Sequence, residues 1–539
     1  MVRILPLGGL GEVGMNCLAL SQRGETILVD CGVLFGDRDR GVDVIHPDFG
    51  ALADLPPLAG VVLTHGHEDH LGALAYLLSR EHVPVWGPPY ALELVGERAA
   101  DHEILSHSRL LETSPRKPFQ IGSFQIEPVR VTHSMVDATA LAIRTDAGTI
   151  VHTGDFKIDP DPPDGQVFDA DRLRELGDEG VALLLSDSTN SDVEGPTGSE
   201  SSVAEAIRRV VDETPGAVVV TIFASNAHRM RVIGDIAQAT GRKLVLLGRG
   251  VGVHSRIARE LSHLSWPSDL VWPDKRVGEL PKSKVLAIAT GAQGEPNAAL
   301  GRLSRGEIGG LDLGEGDAVV LSARAIPGNE VDIAARVDAL ARRGVKVRSR
   351  LTDRGLHVSG HAHRPEQREM IRLVRPRAFI PVHGTRHHLT RHAELAREEG
   401  VGEVLVLENG RSAELDAAGV REGPTYRSGR VHVFAGRVIE PDVLDARGKL
   451  AEAGVVTVTV VVGAEGCDAH AKTRGVTAAT AEAEMADRIE EAVRVAVEGV
   501  PAPRDDARLE EAARLAARRA VTTVTGARPQ TLITLVRPR

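Results

Sequence analysis

Residues 64–70 read THGHEDH, and this stretch places three histidines and two acidic residues within seven positions. The residues before it, 59–63, form a short apolar run that predicts a buried strand. The residues after it, 71–78, form an apolar run long enough for a buried helix. The titratable side chains are therefore expected on a turn that leads from a strand into a helix.

The spacing within this turn predicts a metal site with two adjacent positions. His65 and His67 lie two residues apart, so they project to the same side of an extended chain. Asp69 and His70 stand at the start of the helix and reach a point a few Å further on. The alternative, a set of solvated surface histidines, does not account for this concentration of ligand types.

Length and composition limit the class of protein. A chain of 539 residues is too long for a single core, so about three or four domains are expected. Hydrophobic residues make up 42% and charged residues 26%, as in ordinary soluble globular proteins. No stretch approaches the length of a membrane span, and residues 1–7 lack the apolar core of a signal peptide. We expect a cytoplasmic protein with no membrane partner.

Charge and cysteine content exclude further classes. The three cysteines, Cys17, Cys31 and Cys467, form no closely spaced pair, which argues against a disulfide framework or a thiolate zinc site. The net charge of −11 argues against a protein that coats nucleic acid without specificity. It still permits a local basic groove, so an RNA substrate stays open.

Strand-like runs recur along the chain, and titratable residues follow them at their carboxyl ends. Four such runs lie at 25–32, 148–156, 181–190 and 377–385. The middle of the chain has its own alternating series of strands and helices, with strands at 217–223, 243–248, 284–291 and 317–322. This pattern predicts an α/β class with a site at strand ends and a compact α/β insert.

The last part of the chain predicts a connector and a small tail domain. Residues 416–448 contain glycine and proline and are interpreted as the connector. A strand at 455–462, helices near 479–498 and 507–520, and a strand at 531–536 predict a β-α-α-β tail. The predicted division is a first domain at 1–195 and 351–420, an insert at 196–350, a linker at 421–448 and a C-terminal domain at 449–539.

Two further ligand types follow at strand ends, His133 in VTHS and Asp155 in HTGDF. Together with the HxHxDH stretch, this order resembles the metallo-β-lactamase superfamily. The resemblance implies an αββα sandwich and two divalent metal ions. It implies that His65, His67 and His133 hold one ion, that Asp69 and His70 hold the second, and that Asp155 bridges them. Asp30, at the end of the ILVD strand, is interpreted as a residue that orients a ligand.

Three later segments resemble motifs A, B and C of the β-CASP nucleases, at 186–190, 358–362 and 380–384. Asp187, His361 and His383 are the titratable residues of these motifs. A histidine at motif C resembles the RNA-directed members. We predict Asp69, Asp187 and His361 as catalytic residues, with Asp69 orienting the nucleophile and His361 donating to the transition state, and His383 as a further metal ligand. Imidazole-rich ligation favours zinc, and the carboxylates also permit manganese.

Longer segments resemble the ribonuclease J family: GGLGEVGMN at 8–16, SDSTNSDVEGPTGSE at 186–200, FASNAHR at 223–229, TGAQGEP at 290–296 and IPGNE at 326–330. The resemblance implies an inserted β-CASP α/β domain and a small α+β C-terminal domain. It also implies 5′-to-3′ exonuclease activity on 5′-monophosphorylated single-stranded RNA, combined with endonuclease activity, in RNA maturation and decay. Residues 248–254 and 385–388 fit the family loosely.

A cluster of anion donors follows the strand at 217–223. Ser225, Asn226, His228 and Arg229, with Ser359, are predicted to bind the terminal 5′-phosphate, together with His361 at the substrate. The alternative is a helix N-cap at Ser225 or Asn226 with a solvated Arg229.

Two rival functions and several partners stay open on the sequence. A small-molecule hydrolase of the same superfamily would use the same ligands but would not need the insert or motifs A to C. A catalytically idle scaffold in an RNA-decay complex would usually have lost ligands, and none is missing. The tail helices are interpreted as core or dimer contacts, so a homodimer or higher homo-oligomer is expected, with the RNA-decay machinery as a further partner.

Overall fold

The computed structural model describes residues 1–36, 40–100, 108–326, 328–463 and 466–538. The chain forms two compact units: residues 1–34 with 46–430, and residues 35–45 with 431–539. Among the described residues, no helix is both long enough and apolar enough to cross a membrane.

Two sheets of the first unit stack on one hydrophobic core. In spatial order, the strands of the eight-stranded sheet are Gly419–Thr425, Arg411–Asp416, Val2–Gly8, Cys17–Gln22, Glu25–Val29, Leu58–Val62, Val85–Gly87 and Leu110–Glu112. Those of the seven-stranded sheet are Phe119–Ile121, Phe124–Arg130, Thr139–Thr145, Gly148–His152, Val181–Asp187, Ala378–Val382 and Glu403–Val404. Ile27 and Val62 of one sheet share a buried cluster with Leu141, Leu183 and Ile380 of the other. Alternating apolar residues on each strand therefore bury the facing surfaces.

Helices cover the outer faces of this sandwich. The helices Ala170–Glu179, Arg364–Val374 and Arg386–Glu398 place Leu173, Met370 and Leu395 in a buried cluster with the outer face of the seven-stranded sheet. The helices Glu68–Leu71, Leu74–Leu78 and Pro89–Ala100 follow strands of the eight-stranded sheet. The result is the predicted αββα sandwich.

The insert is a six-stranded, all-parallel sheet flanked by helices. In spatial order, its strands are Val271–Trp272, Lys243–Leu247, Val285–Ala289, Val218–Thr221, Ala318–Leu321 and Lys346–Ser349. Its helices are Glu200–Glu213, Ala227–Thr240, Arg249–Glu260, Ala299–Ser304 and Glu330–Arg342. The four central strands match the predicted ones. The two edge strands were not predicted, because one is only two residues long and the other carries charged residues.

The second unit contains the tail. The strands Cys467–Arg474, Val455–Val462 and Gln530–Val536 form a sheet, and the helices Glu482–Glu498 and Asp506–Thr525 pack on it around Ile489, Val493 and Leu509. The sequence predicted only two of these strands. The strand Cys467–Arg474 reads CDAHAKTR, in which small residues point inward and charged residues outward, so it has no apolar run.

The stretch interpreted as a connector is itself ordered. It contains the strand Gly419–Thr425 of the eight-stranded sheet, the hairpin Arg430–Phe434 with Arg437–Ile439, and the first part of the helix Pro441–Ala453. The division into domains stays a prediction.

Candidate metal centre

Three imidazoles from two separate turns meet at one point. His65 follows the strand Leu58–Val62, His67 is the N-cap of the next helix, and His133 follows the strand Phe124–Arg130. His65 Nε2 lies 3.0 Å from His67 Nδ1, and His133 Nε2 lies 3.1 Å from the same atom. With Asp155, these residues form a group whose ligand atoms all lie within 4.8 Å of one another. Such convergence of nitrogen atoms is what one metal ion requires.

A second group adjoins the first and shares Asp155. Its other members are Asp69, His70 and His383, again within 4.8 Å of one another. His70 Nε2 lies 3.2 Å from Asp155 Oδ2, and His383 Nδ1 lies 2.7 Å from Asp155 Oδ1. Because Asp155 offers one carboxylate to both groups, it stands where a bridging ligand would be needed.

A third group brings the later motifs to the same place. Asp187 ends the strand Val181–Asp187, and its Oδ2 lies 2.8 Å from His361 Nδ1. His361 Nδ1 is also 3.8 Å from Asp155 Oδ2. All seven predicted ligands and the three predicted catalytic residues are therefore brought together.

The donor atoms are set up to hold a cation. His133 Nδ1 must donate to the carbonyl oxygen of Gly360 at 2.7 Å, so in the neutral ring its Nε2 carries a lone pair toward His67. His70 Nδ1 donates to Asp30 Oδ2 at 2.8 Å, which leaves the Nε2 lone pair facing Asp155. His383 Nε2 is buried and has no hydrogen-bond partner among the described residues. These ring nitrogens gather around the carboxylates of Asp69 and Asp155, an arrangement that fits a metal ion.

The pKa values show how strongly these groups act on each other. Burial lowers the pKa of His67 to about 4, in spite of the nearby carboxylates. Burial also opposes the charged form of His383, but Asp155 and Asp69 outweigh it and raise its pKa to about 10. The pKa of Asp155 is held well below its usual value because His383, His70 and His361 outweigh the cost of its burial. The carboxylates stabilise positive charge at this point, and either a proton or a metal cation can supply that charge.

Asp30 supports the site from behind. It is 1% exposed, its Oδ1 accepts from the Thr64 backbone N–H at 2.8 Å, and its Oδ2 accepts from the Thr64 hydroxyl at 2.8 Å. Because Oδ2 also accepts from His70 Nδ1, one carboxylate sets the turn and the ring together. Two residues further on, position 32 requires glycine, because a Cβ on Gly32 would lie 1.6 Å from the Asp69 carbonyl oxygen.

Two asparagines were not predicted as functional. Asn16 Nδ2 lies 3.0 Å from His70 Nε2 and donates to the Asp69 carbonyl oxygen at 3.2 Å. Asn190 donates to Ser359 Oγ and to the His361 carbonyl oxygen. A single asparagine in a loop has no distinctive sequence pattern, and both lay inside segments quoted above only for their resemblance.

The residues predicted to bind a 5′-phosphate differ in their burial and in their hydrogen-bond partners. Asn226 caps the helix Ala227–Thr240, accepting from Arg229 N at 2.9 Å, as the alternative interpretation expected. Arg229 is not solvated: it is 1% exposed and donates to both oxygens of Glu200 at 2.7 Å. His228 is 6% exposed, and its Nδ1 has no hydrogen-bond partner within the described ranges. Ser225 is half-buried.

Family models match most of the chain. They are described as a β-lactamase superfamily domain (25–173), a ribonuclease J β-CASP domain (215–340), a Zn-dependent metallo-hydrolase RNA specificity domain (344–407) and a ribonuclease J C-terminal domain (442–537). These matches cover the sandwich, the insert and the tail.

Curated relatives agree with these matches. The chain is 37% identical to a ribonuclease J of Sinorhizobium meliloti, over 97% of this chain and 95% of that protein. It is 40% identical to a ribonuclease J of Mycolicibacterium smegmatis, over 86% and 83%. It is 38% identical to a ribonuclease J of Helicobacter pylori, over 86% and 68%. A crystal structure of a protein of unknown function from Enterococcus faecalis superposes with a TM-score of 0.54 at 16% identity, covering 76% of this chain and 99% of that one, which shows the fold alone.

Proposed function

The chain belongs to the ribonuclease J family of metallo-β-lactamase and β-CASP nucleases, and from that premise we propose that it is a 5′-to-3′ exonuclease on single-stranded RNA that prefers a 5′-monophosphate and also cleaves internally. The observation that carries the proposal is the meeting of the Asp187–His361 pair with both ligand groups around Asp155. An RNA strand can then meet the metal ligands and a hydrogen-bond donor at one point.

The metal centre takes two divalent cations in this proposal. His65, His67 and His133 would hold one, Asp69, His70 and His383 would hold the other, and Asp155 would contact both. Zinc suits the imidazole-rich set, and manganese is the alternative. Bound there, the cations would make water a nucleophile near neutral pH and offset the charge of the phosphate.

The chain's own residues supply the rest of the chemistry. Asp187 accepts from His361 Nδ1 and so directs the opposite ring nitrogen, Nε2, away from the carboxylate. Burial disfavours the protonated ring, but Asp187 and Asp155 outweigh it and raise the pKa of His361, which keeps a proton available on it. We infer that His361 donates to a non-bridging oxygen as charge develops, and that Asp69 orients the attacking water.

The end-sensing pocket is proposed on the helix that Asn226 caps. Ser225 and His228 are the donors, helped by Ser359. His228 Nδ1 supports this role: it lies 3.9 Å from Asp164 Oδ2 but has no hydrogen-bond partner among the described residues, and a buried ring nitrogen without a hydrogen bond is costly. Arg229 acts indirectly, holding the helix through Glu200. A monophosphate fits a closed pocket of this kind, whereas a triphosphate adds bulk and charge that it cannot accommodate.

The test compares four RNAs: 5′-monophosphate, 5′-triphosphate, 5′-hydroxyl and circular. Wild type should degrade the first fastest and should cut the circle internally. The Ser225→Ala/His228→Ala double variant should lose the 5′-monophosphate preference and keep the internal cut. Ser202→Ala, an exposed serine of the insert, is the matched control and should behave as wild type. An unchanged preference in the double variant would contradict the pocket.

The rival functions have less support. A small-molecule hydrolase would not need the insert and the tail, which the ribonuclease J family models match. An idle scaffold would not need complete ligand groups. Homo-oligomers, the RNA-decay machinery and a cytoplasmic location stay predictions.

A further inference from the structure

Arg324 stands in the loop that follows the insert strand Ala318–Leu321, and the interior of the protein fixes this loop. The buried Gln293 donates from Nε2 to the Arg324 carbonyl oxygen at 2.9 Å. Its Oε1 accepts from the Ile326 backbone N–H at 2.7 Å. The backbone that carries Arg324 is therefore held in place while its side chain is exposed.

Among the described residues, the guanidinium of Arg324 has no acidic partner. Within the described part of the chain, no carboxylate oxygen lies within 4.0 Å of it, whereas Arg305 and Arg343 of the same insert pair with Glu307 and Asp312. Among the described residues, this guanidinium makes one hydrogen bond, from Nη1 to Asn190 Oδ1 at 3.2 Å. Most of its five N–H groups remain available to an anion.

Asn190 connects this arginine to the loop that carries Ser359 and His361. Its side chain is 3% exposed, and its Nδ2 donates to Ser359 Oγ at 3.0 Å and to the His361 carbonyl oxygen at 3.1 Å. Ser359 Oγ in turn accepts from the His361 backbone N–H at 3.1 Å. The guanidinium of Arg324 is thus two hydrogen bonds away from the backbone of His361.

We propose that Arg324 binds the RNA phosphate that neighbours the scissile one, and that Asn190 transmits this contact to the loop carrying His361. The inference rests on the proposed function, which puts a single-stranded RNA at His361. A planar guanidinium can grip a phosphate with two N–H groups while a third holds Asn190. Arg324 is then a binding residue and Asn190 a positioning residue. Binding of the RNA strand would then also position His361.

The first test removes each partner of the contact separately. RNAs are made with one uncharged methylphosphonate linkage, placed at each position next to the cleavage site in turn. Arg324→Ala should lower kcat/KM on all-phosphate RNA by about 10- to 100-fold, as for loss of a hydrogen bond to a charged group. One methylphosphonate position should lower wild-type kcat/KM similarly and should cost the Arg324→Ala variant less than about 2-fold, because its contact is already gone.

The control is Arg302→Ala, which removes an exposed guanidinium of the same insert that donates to the Glu307 carbonyl oxygen. It should lie within about 2-fold of wild type. If Arg324→Ala matches Arg302→Ala, or if its loss multiplies with the methylphosphonate loss at every position, the inference is wrong. Failure of wild type to hydrolyse any RNA would instead overturn the proposed function.

The second test separates binding from positioning. Asn190→Ala removes the hydrogen bonds to Ser359 and His361 and leaves the positive charge of Arg324 without an acidic partner among the residues that the structure describes, as in wild type. RNA binding without added metal should keep its salt dependence in this variant, whereas Arg324→Ala should reduce the log-log slope by about 0.7, one phosphate contact. With metal, Asn190→Ala should lower kcat by at least about 10-fold at unchanged KM and metal content. A change in KM alone would refute the positioning role.

Discussion

Replacement of Asp30 by asparagine tests how the metal centre is held, without touching a predicted ligand. Asp30 Oδ2 accepts from His70 Nδ1 and from the Thr64 hydroxyl, each at 2.8 Å. In Asp30→Asn, Oδ1 can still accept from the Thr64 backbone N–H, but an NH₂ group then faces His70 Nδ1. Two donors would meet there, so His70 would move its proton to Nε2, the atom that faces Asp155.

The size of the effect follows from this geometry. Loss of the lone pair on one ligand, through a change in its supporting hydrogen bond, should weaken metal affinity by about 10- to 100-fold. This is about 1.4 to 2.7 kcal/mol of binding free energy. RNA hydrolysis should fall at limiting metal and recover in part at saturating metal, because the seven predicted ligands are all still present.

The assay is competition between the protein and a chelator of known affinity, followed by hydrolysis at several metal concentrations. Asp317→Asn is the matched control, since Asp317 is a buried carboxylate of the insert that accepts from the Ala217 backbone N–H at 2.8 Å. Asp317→Asn should lower the free energy of unfolding and leave metal affinity unchanged. If Asp30→Asn binds metal as wild type does, His70 is not oriented by Asp30 and the reasoning fails.

Three further predictions follow from other parts of the structure. In Gly360→Ala the new Cβ would lie 2.9 Å from His133 Cε1, so metal affinity should fall at least about 10-fold in folded protein, measured by the same competition; unchanged affinity would contradict it. Arg229→Ala leaves the buried Glu200 unpaired and should lower the free energy of unfolding by about 3–5 kcal/mol, against less than about 1 kcal/mol for Arg208→Ala, whose side chain is 43% exposed. Equal losses in denaturant titrations would refute that. Wild-type RNA affinity should fall with salt, at a log-log slope of about −0.7 per phosphate contacted; a flat response would exclude a basic groove.

Much of the site could be predicted because its ligands cluster in sequence. Four of the predicted ligands lie within residues 64–70, and the strand and helix around them follow from apolar runs. His133 and Asp155 have no other ligand types close to them in sequence. They could be predicted as ligands only because they follow residues 64–70 in the order that the superfamily resemblance implies. The four central strands of the insert were predictable for the same local reason: each is a mostly apolar run, and most of its residues are buried.

Elements without a local pattern could not be predicted. The strand Cys467–Arg474 alternates small and charged residues, and it forms because Val455–Val462 pairs with it along its full length. Arg229 was expected to face solvent or substrate. The structure pairs it with Glu200, which is 29 positions away and unremarkable in sequence.

The sequence by itself determined the α/β class, the candidate ligand residues and the family resemblance, because these depend on residue type, order and short-range periodicity. Only the tertiary structure decided which side chains lie in contact. It places Asp155 between two groups of candidate ligands, hydrogen-bonds Asp187 to His361, and sets Asn190 between Arg324 and the loop that carries His361. The physical reason is range. Propensity and periodicity act over a few residues, whereas a hydrogen bond depends on distance in space, and chain folding brings residues more than a hundred positions apart to within 3.2 Å.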